Sequence, residues 1–270
     1  MQKDQINIHI PYMLTISSPD YIKCSFGPGF NASQDINKGK LEIFYAETRD
    51  LNSRFADIQR YVSCEEQSRA DKFLFDKDRE TYITCHAILR IVISQLLKLN
   101  PLEISFESRM NNKPGIKGDP VHFNITHTRE AFAITVSSEF HVGIDLEDIN
   151  QEIEIRSIAE KYFSKKECEF IFKSETGSKN RFFLLWTRKE SLLKAIGTGI
   201  IDDLTNVEVS GRHNSISRNT FDSLEFENTF HSLFLYSKRI RNYYLSVAVP
   251  QKASINFHRL NKENILSCLD

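Results

Sequence analysis

With 270 residues, 40% of them hydrophobic and 11% aromatic, the chain can bury one sizeable core or two smaller ones and is too apolar for disorder. Lysine plus arginine number 35 against 36 acidic residues, a formal net charge of -1, which excludes a chain-wide basic field for gripping nucleic acid. The longest apolar runs, such as Ile88–Leu97, are broken by Arg90, Ser94 and Gln95 and fall short of the roughly 20 residues that a membrane span needs. The first residues, MQKDQINIHIPYMLTI, carry no continuous apolar segment and no small-residue cleavage site. Cys24, Cys64, Cys85, Cys168 and Cys268 are scattered and odd in number, with no C-x-x-C pair, so they read as reduced thiols and the Asn31-Ala32-Ser33 sequon as a chance match. A soluble, cytoplasmic protein is expected.

In chain order, Ile6, Ile8 and Ile10 alternate like a strand, and Gly27-Pro28-Gly29 reads as loop. A strand is predicted over Leu41–Ala46, then a charged helical region over Arg60–Asp78. A clearer helix follows over Arg79–Lys98, where Cys85, Ile88, Leu89, Val92 and Leu96 form a stripe that Asn100-Pro101 ends. After a turn at Lys113-Pro114-Gly115 come β-rich pieces at Val121–Thr126, Ala131–Ser137 and Val142–Leu146. Helices are predicted over Ile153–Phe163, over Lys165–Phe172 with Ser164 as N-cap, and over Arg181–Ile196, stopped by Gly197. Val207–Val209, Ser232–Tyr236 and Tyr243–Val249 read as strands. Strand, helices, strands thus occurs twice, with a seam near residue 140, and predicts an α+β fold in two halves of similar size.

The informative segment is Val142-Gly143-Ile144-Asp145-Leu146-Glu147-Asp148-Ile149. In an extended chain Ile144 and Leu146 face a core while Asp145 and Glu147 share the opposite face. Adjacent carboxylates raise each other's pKa unless a cation sits between them, and a hard cation such as Mg²⁺ suits the pair. Taken alone, such alternation is more readily a half-exposed strand edge with ordinary surface acids. A second segment, Trp186-Thr187-Arg188-Lys189-Glu190-Ser191-Leu192-Leu193-Lys194, sets Glu190 and Lys194 one helical turn apart beside Trp186. It reads either as a surface ion pair or as a third carboxylate for the same metal, with Lys194 placed to meet phosphate charge.

The two segments together resemble the Sfp-type 4′-phosphopantetheinyl transferases. That family's "GIDIE" strand is here GIDLE, Gly143–Glu147, and its "W-x-x-K-E-x-x-x-K-x-x-G-x-G" helix is WTRKESLLKAIGTG, Trp186–Gly199. Its "GKP" and "FN-x-SH-S" elements match Asn112-Lys113-Pro114 and Phe123-Asn124-Ile125-Thr126-His127-Thr128, and its "FFS-x-x-E" stretch matches YFSKKECEFI, Tyr162–Ile171. The departures are Thr126 for serine, Asn112 for glycine and Leu146 in the acidic strand. The likeness runs from about residue 41 to 250 and implies an N-terminal subdomain (41–140) and a C-terminal subdomain (141–250), flanked by an extension (1–40) and a tail (251–270). The two would be similar α/β subdomains related by a pseudo-two-fold, with the active site in the cleft between them.

The resemblance further implies a monomeric enzyme that transfers 4′-phosphopantetheine from coenzyme A to a serine of an acyl, peptidyl or aryl carrier protein, releasing 3′,5′-ADP. Mg²⁺ would be held by Asp145, Glu147 and Glu190. Glu190 would take the serine proton, and Lys194 would steady phosphate charge. Lys113, Thr126 and His127 would contact coenzyme A. Arg69 and Lys72 would meet its 3′-phosphate, although the cluster Arg69, Lys72, Lys77, Arg79 reads equally as a solvated helix face balanced by Asp71, Asp76, Asp78 and Glu80. The rival readings are a binding module without chemistry and a Mg²⁺-dependent phosphohydrolase.

Overall fold

The computed structural model describes residues 13–17, 40–109, 111, 113–199, 204–211, 213–217 and 232–265. The readings made for Ile6, Ile8 and Ile10, for Gly27–Gly29, for the sequon and for Cys24 and Cys268 lie outside these residues. The strands are β1 (Met13–Ser17), β2 (Lys40–Glu47), β3 (Phe106–Ser108), β4 (Pro114–Ile116), β5 (His122–His127), β6 (Ala131–Ser137), β7 (Gly143–Asp148), β8 (His213–Ser217), β9 (Ser232–Ile240), β10 (Tyr243–Val249) and β11 (Ser254–Arg259). The α-helices are α1 (Phe55–Ile58), α2 (Cys64–Ala70), α3 (Asp76–Leu97), α4 (Ile155–Tyr162), α5 (Lys165–Phe172) and α6 (Ser178–Ile196). None of the described helices is long and apolar enough to cross a membrane.

One sheet has the order β11-β2-β6-β5 and the other β7-β10-β9-β1-β8, with β3-β4 as a separate ribbon. The result is a mixed α+β fold of stacked layers. On one side α3 lies on the first sheet, where Ile88, Val92 and Ile91 meet Phe44, Phe132, Ile134 and Val136. On the other, α6 lies on β7 and β10, with Phe182, Leu185 and Leu192 packed against Leu233, Leu235 and Ala248. Between the sheets a third core joins Ile43, Tyr45 and Ala133 to Ile144, Leu146, Leu245 and Val247. Strand β2 is therefore covered on both faces, which is why LEIFYA is apolar at every position except Glu42.

Most of the expected elements appear within a few residues of their predicted ends. Ser164 caps α5 through a capping box with Glu167, and Gly197 ends α6 in the left-handed conformation at φ 85°. Val207–Val209 differs: it is not a strand, because side chains satisfy its backbone. The Val209 N–H donates to Glu167 (2.8 Å), and the Val209 carbonyl accepts from Arg188 (3.0 Å). Strands β1, β3, β8 and β11 went unpredicted, and Pro114-Gly115, expected in a turn, instead lies in β4, where it pairs with β3. Strand β1 pairs with β8 and β9, some 200 residues away in the chain, and β11 runs parallel to β2 at the edge of the first sheet.

Two buried ion pairs hold helices in place. Lys189, fully buried on α6, contacts Glu167 at 2.7 Å and donates to the carbonyls of Tyr162 and Leu204, both at 2.9 Å. Every polar atom of this node has a partner, which is what permits a charge pair in an apolar core. In the first half, Arg90 meets Glu66 at 2.7 Å and donates to the carbonyls of Pro101 and Ile104. Burial alone would raise the Glu66 carboxyl, but hydrogen bonds from His86, Arg90 and the Ser63 N–H hold it down at about 2.

Two stability predictions follow from these pairs. Lys189→Met leaves Glu167 buried without its cation and costs about 3–5 kcal/mol, read by chemical denaturation; a loss below about 1 kcal/mol contradicts this account. Because the folded pKa of Glu66 lies below its unfolded value of 4.5, its contribution is complete above that pH and is lost as pH falls towards 2. Glu66→Gln should therefore be less stable at neutral pH and show a shallower loss between pH 5 and 2 in acid-denaturation curves; an unchanged acid slope would argue against the pair.

Candidate functional site

The site begins with a glycine. A Cβ at Gly143 would run into the Ser191 carbonyl oxygen and the Ala195 nitrogen, so β7 touches the backbone of α6 with no side chain between them. From that contact β7 runs on with Ile144 and Leu146 turned into the inter-sheet core, as alternation requires. Asp145 and Glu147 face the other way, towards α6. Asn124 on β5 fixes the neighbouring strand, its Oδ1 accepting the Ile144 N–H at 2.8 Å.

The resulting pocket, of about 690 Å³, is lined by Asp145, Glu147, Glu190, Lys194, Thr126 and His127, with Trp186, Gln151 and Arg129 around them. The volume lies in the range of small-molecule sites. Lys194 Nζ donates to Asp145 Oδ1 at 2.6 Å and lies 3.4 Å from Thr126 Oγ1. Gln151 Nε2 donates to Glu147 Oε2 at 2.7 Å. The other Asp145 oxygen, Oδ2, is buried and has no hydrogen-bond partner among the described residues.

The electrostatics are those of a site short of positive charge. Burial and then the Asp145 charge push Glu147 up to about 7, and the same two causes push Glu190 up to about 7, with Lys194 opposing both. Five acidic side chains, Glu130, Asp145, Glu147, Asp148 and Glu190, thus line one pocket with Lys194 and Arg129. Among the described residues no group of three histidine, cysteine or acidic side chains is gathered tightly enough to hold a metal ion as it stands. The chemistry of the donors nevertheless fits a hard divalent cation: three carboxylates, one of them with an orphaned buried oxygen.

The other residues singled out in the sequence lie elsewhere. Lys113 does not line the pocket; its ammonium donates to the carbonyls of Lys194 (2.6 Å) and Val142 (3.2 Å). Arg69 is exposed and lines a separate pocket with Glu66, His86 and Phe106, while Lys72 is exposed and lines neither. Lys77 pairs with Glu130, and Arg79 with Asp76. Sequence reasoning passed over Gln151, whose amide holds Glu147, and Arg129 at the pocket rim, stacked over Phe75. Neither belongs to a pattern of residue spacing that would have marked it.

Residues 141–248 match the model of the 4′-phosphopantetheinyl transferase superfamily, and residues 49–139 match that of the 4′-phosphopantetheinyl transferase N-terminal region. The chain is 30% identical over 164 residues to the 4′-phosphopantetheinyl transferase HetI of Nostoc, a match that spans 58% of this chain and 68% of HetI. It is 28% identical over 167 residues to the 4′-phosphopantetheinyl transferase psf-1 of Bacillus pumilus, covering 59% of this chain and 70% of that protein. To the 4′-phosphopantetheinyl transferase Sfp of Bacillus subtilis it is 29% identical over 155 residues, covering 57% and 66%. The acidic strand and the helix that together build the pocket both fall inside the first of these matches, and the chain belongs to the 4′-phosphopantetheinyl transferase superfamily.

Proposed function

We propose that this chain transfers the 4′-phosphopantetheine arm of coenzyme A to a serine of an apo carrier protein and releases 3′,5′-ADP. The observation that carries the reading is the convergence of Asp145, Glu147 and Glu190 with Lys194 on one pocket, from two elements some forty residues apart in the chain. The α3 and α6 layer pairs are read as two related halves, 41–140 and 141–250, with coenzyme A between them. The acceptor is taken to be an acyl, peptidyl or aryl carrier domain.

Asp145, Glu147 and Glu190 would hold Mg²⁺, which when bound neutralises pyrophosphate oxygens and steadies charge on the phosphorus under attack. The remaining work falls to side chains of the chain itself. Glu190, lining the pocket next to Asp145, is assigned the proton of the attacking serine hydroxyl as the new O–P bond forms. The bond to the bridging oxygen of the pyrophosphate breaks, and Lys194 steadies the negative charge of the departing 3′,5′-ADP. Thr126 and His127, at the end of β5, are assigned contacts with the phosphates. Arg69 and Lys72, outside this pocket, are assigned no part at the reacting phosphorus.

Incubation with coenzyme A and Mg²⁺, with and without an apo carrier protein, separates transfer from its rivals. Transfer predicts 3′,5′-ADP release only with the carrier, together with the mass gain of one phosphopantetheine on it. Carrier-independent hydrolysis points to a phosphohydrolase, and binding without release to an inert module. Glu190→Gln should lower turnover by at least about a hundredfold while circular dichroism and melting stay near those of the parent; near-normal turnover rejects the assignment. EDTA should stop transfer and added Mg²⁺ restore it, and the heat of Mg²⁺ binding should vanish in Asp145→Asn. Activity that survives chelation removes the metal from this account.

A further inference from the structure

The last turn of any α-helix leaves backbone carbonyls without intrahelical partners. In α6 the Gly197 N–H returns to the Leu193 carbonyl, which satisfies one of them. A second, that of Lys194, and the carbonyl of Gly197 just past the helix end are met by Lys113 and Asn111. Lys113 Nζ donates to the Lys194 carbonyl at 2.6 Å, and Asn111 Nδ2 donates to the Gly197 carbonyl at 2.7 Å. The same Lys113 ammonium donates to the Val142 carbonyl at 3.2 Å, immediately before Gly143 of β7.

One side chain thus ties together the ends of the two elements that carry Lys194 and Asp145, themselves joined at 2.6 Å. A cation is the favoured partner for a helix C-terminus, where the carbonyl dipoles add up. Asn111 is held in the left-handed conformation at φ 54°, and a Cβ at Gly199 would lie 3.6 Å from its side chain, so the turn that follows α6 rests on Asn111. Burial, together with the Arg109 guanidinium and against the pull of Asp119, pushes the Lys113 ammonium down to about 8. That is the environment of an enclosed lysine, unlike one open to a phosphate.

We infer that Lys113 and Asn111 are positioning residues: from the turn preceding β4 they cap the C-terminal end of α6 across the junction of the two halves, and so hold Lys194 at Asp145. The catalytic consequence rests on the role assigned to Lys194 above; the cap itself does not. The Lys113 ammonium is thereby assigned to the cap rather than to a phosphate of coenzyme A.

The test uses the full chain and three variants: Lys113→Met, Asn111→Ala and Lys194→Ala. In Lys113→Met, amide hydrogen exchange should accelerate by about tenfold or more in peptides covering the last turn of α6, with its first turns unchanged. Asn111 is exposed, so Asn111→Ala keeps the fold and should give the same local pattern at smaller amplitude. Unchanged exchange at the end of α6 in both variants overturns the cap. For transfer, Lys113→Met should lower kcat by about ten- to a hundredfold and leave the Kd for coenzyme A, read by calorimetry, within about twofold. The double variant with Lys194→Ala should be no slower than Lys194→Ala alone. A Kd raised about tenfold with kcat intact, or losses that multiply in the double variant, would make Lys113 a direct ligand of coenzyme A and overturn the inference. Full activity of Lys194→Ala would reject the role of Lys194 while leaving the exchange result to decide the cap.

Discussion

The backbone of β7 meets the backbone of α6 at Gly143, and every distance in the pocket depends on that contact. Side chains interposed between helix and strand would hold the two main chains further apart. Removing the Cβ at one position lets the two main chains touch. Two residues further along β7, Asp145 then lies within 2.6 Å of a lysine on α6. Gly143 is also the first residue of its strand, so the approach is closest where the strand enters the sheet.

Close approach brings an electrostatic cost that the rest of the pocket arranges. The Lys189–Glu167 pair in the neighbouring core is balanced one to one and fully bonded, as buried charge normally must be. The pocket is lined by five carboxylates against Lys194 and Arg129, with an Asp145 oxygen left unpartnered among the described residues and two glutamates driven towards neutrality. Two sites on the same helix follow opposite rules. A balanced pair needs nothing further, whereas an unbalanced one is a standing affinity for positive charge, and sites of that kind are where binding and chemistry concentrate.

How far the sequence could be read follows the range of the interactions. Local signals were legible: the stripe on α3, the N-cap at Ser164, the stop at Gly197, and the alternation that sets Ile144 and Asp145 on opposite faces of β7. The meeting of Asp145, Glu147 and Glu190 was legible only through the joint likeness to a family, since nothing in either segment alone reports the other. What escaped was decided by partners far along the chain. Strand β11 exists because β2 has a free edge some 210 residues earlier, and its Asn256 and His258 bond the buried Glu42. Val207–Val209 has the residues of a strand and fails to be one because Glu167 and Arg188 reach its backbone first. Lys113 reads as a coenzyme A contact from its place in a motif; its distances to two carbonyls could not be read from the chain.

Lys189 and Glu190 show how one helix can serve both ends. Consecutive residues on an α-helix point about 100° apart. With α6 seated by Gly143, that rotation sends Lys189 into the core under α4 and α5 and Glu190 into the pocket. A helix rolled by even part of that angle would expose the Lys189 charge to the apolar core and withdraw Glu190 from Asp145. The buried pair therefore sets the rotation of the helix, and the glycine contact sets its distance. Fixing rotation and distance through Lys189 and Gly143 leaves Glu190 and Lys194, one turn apart, on the face that lines the pocket.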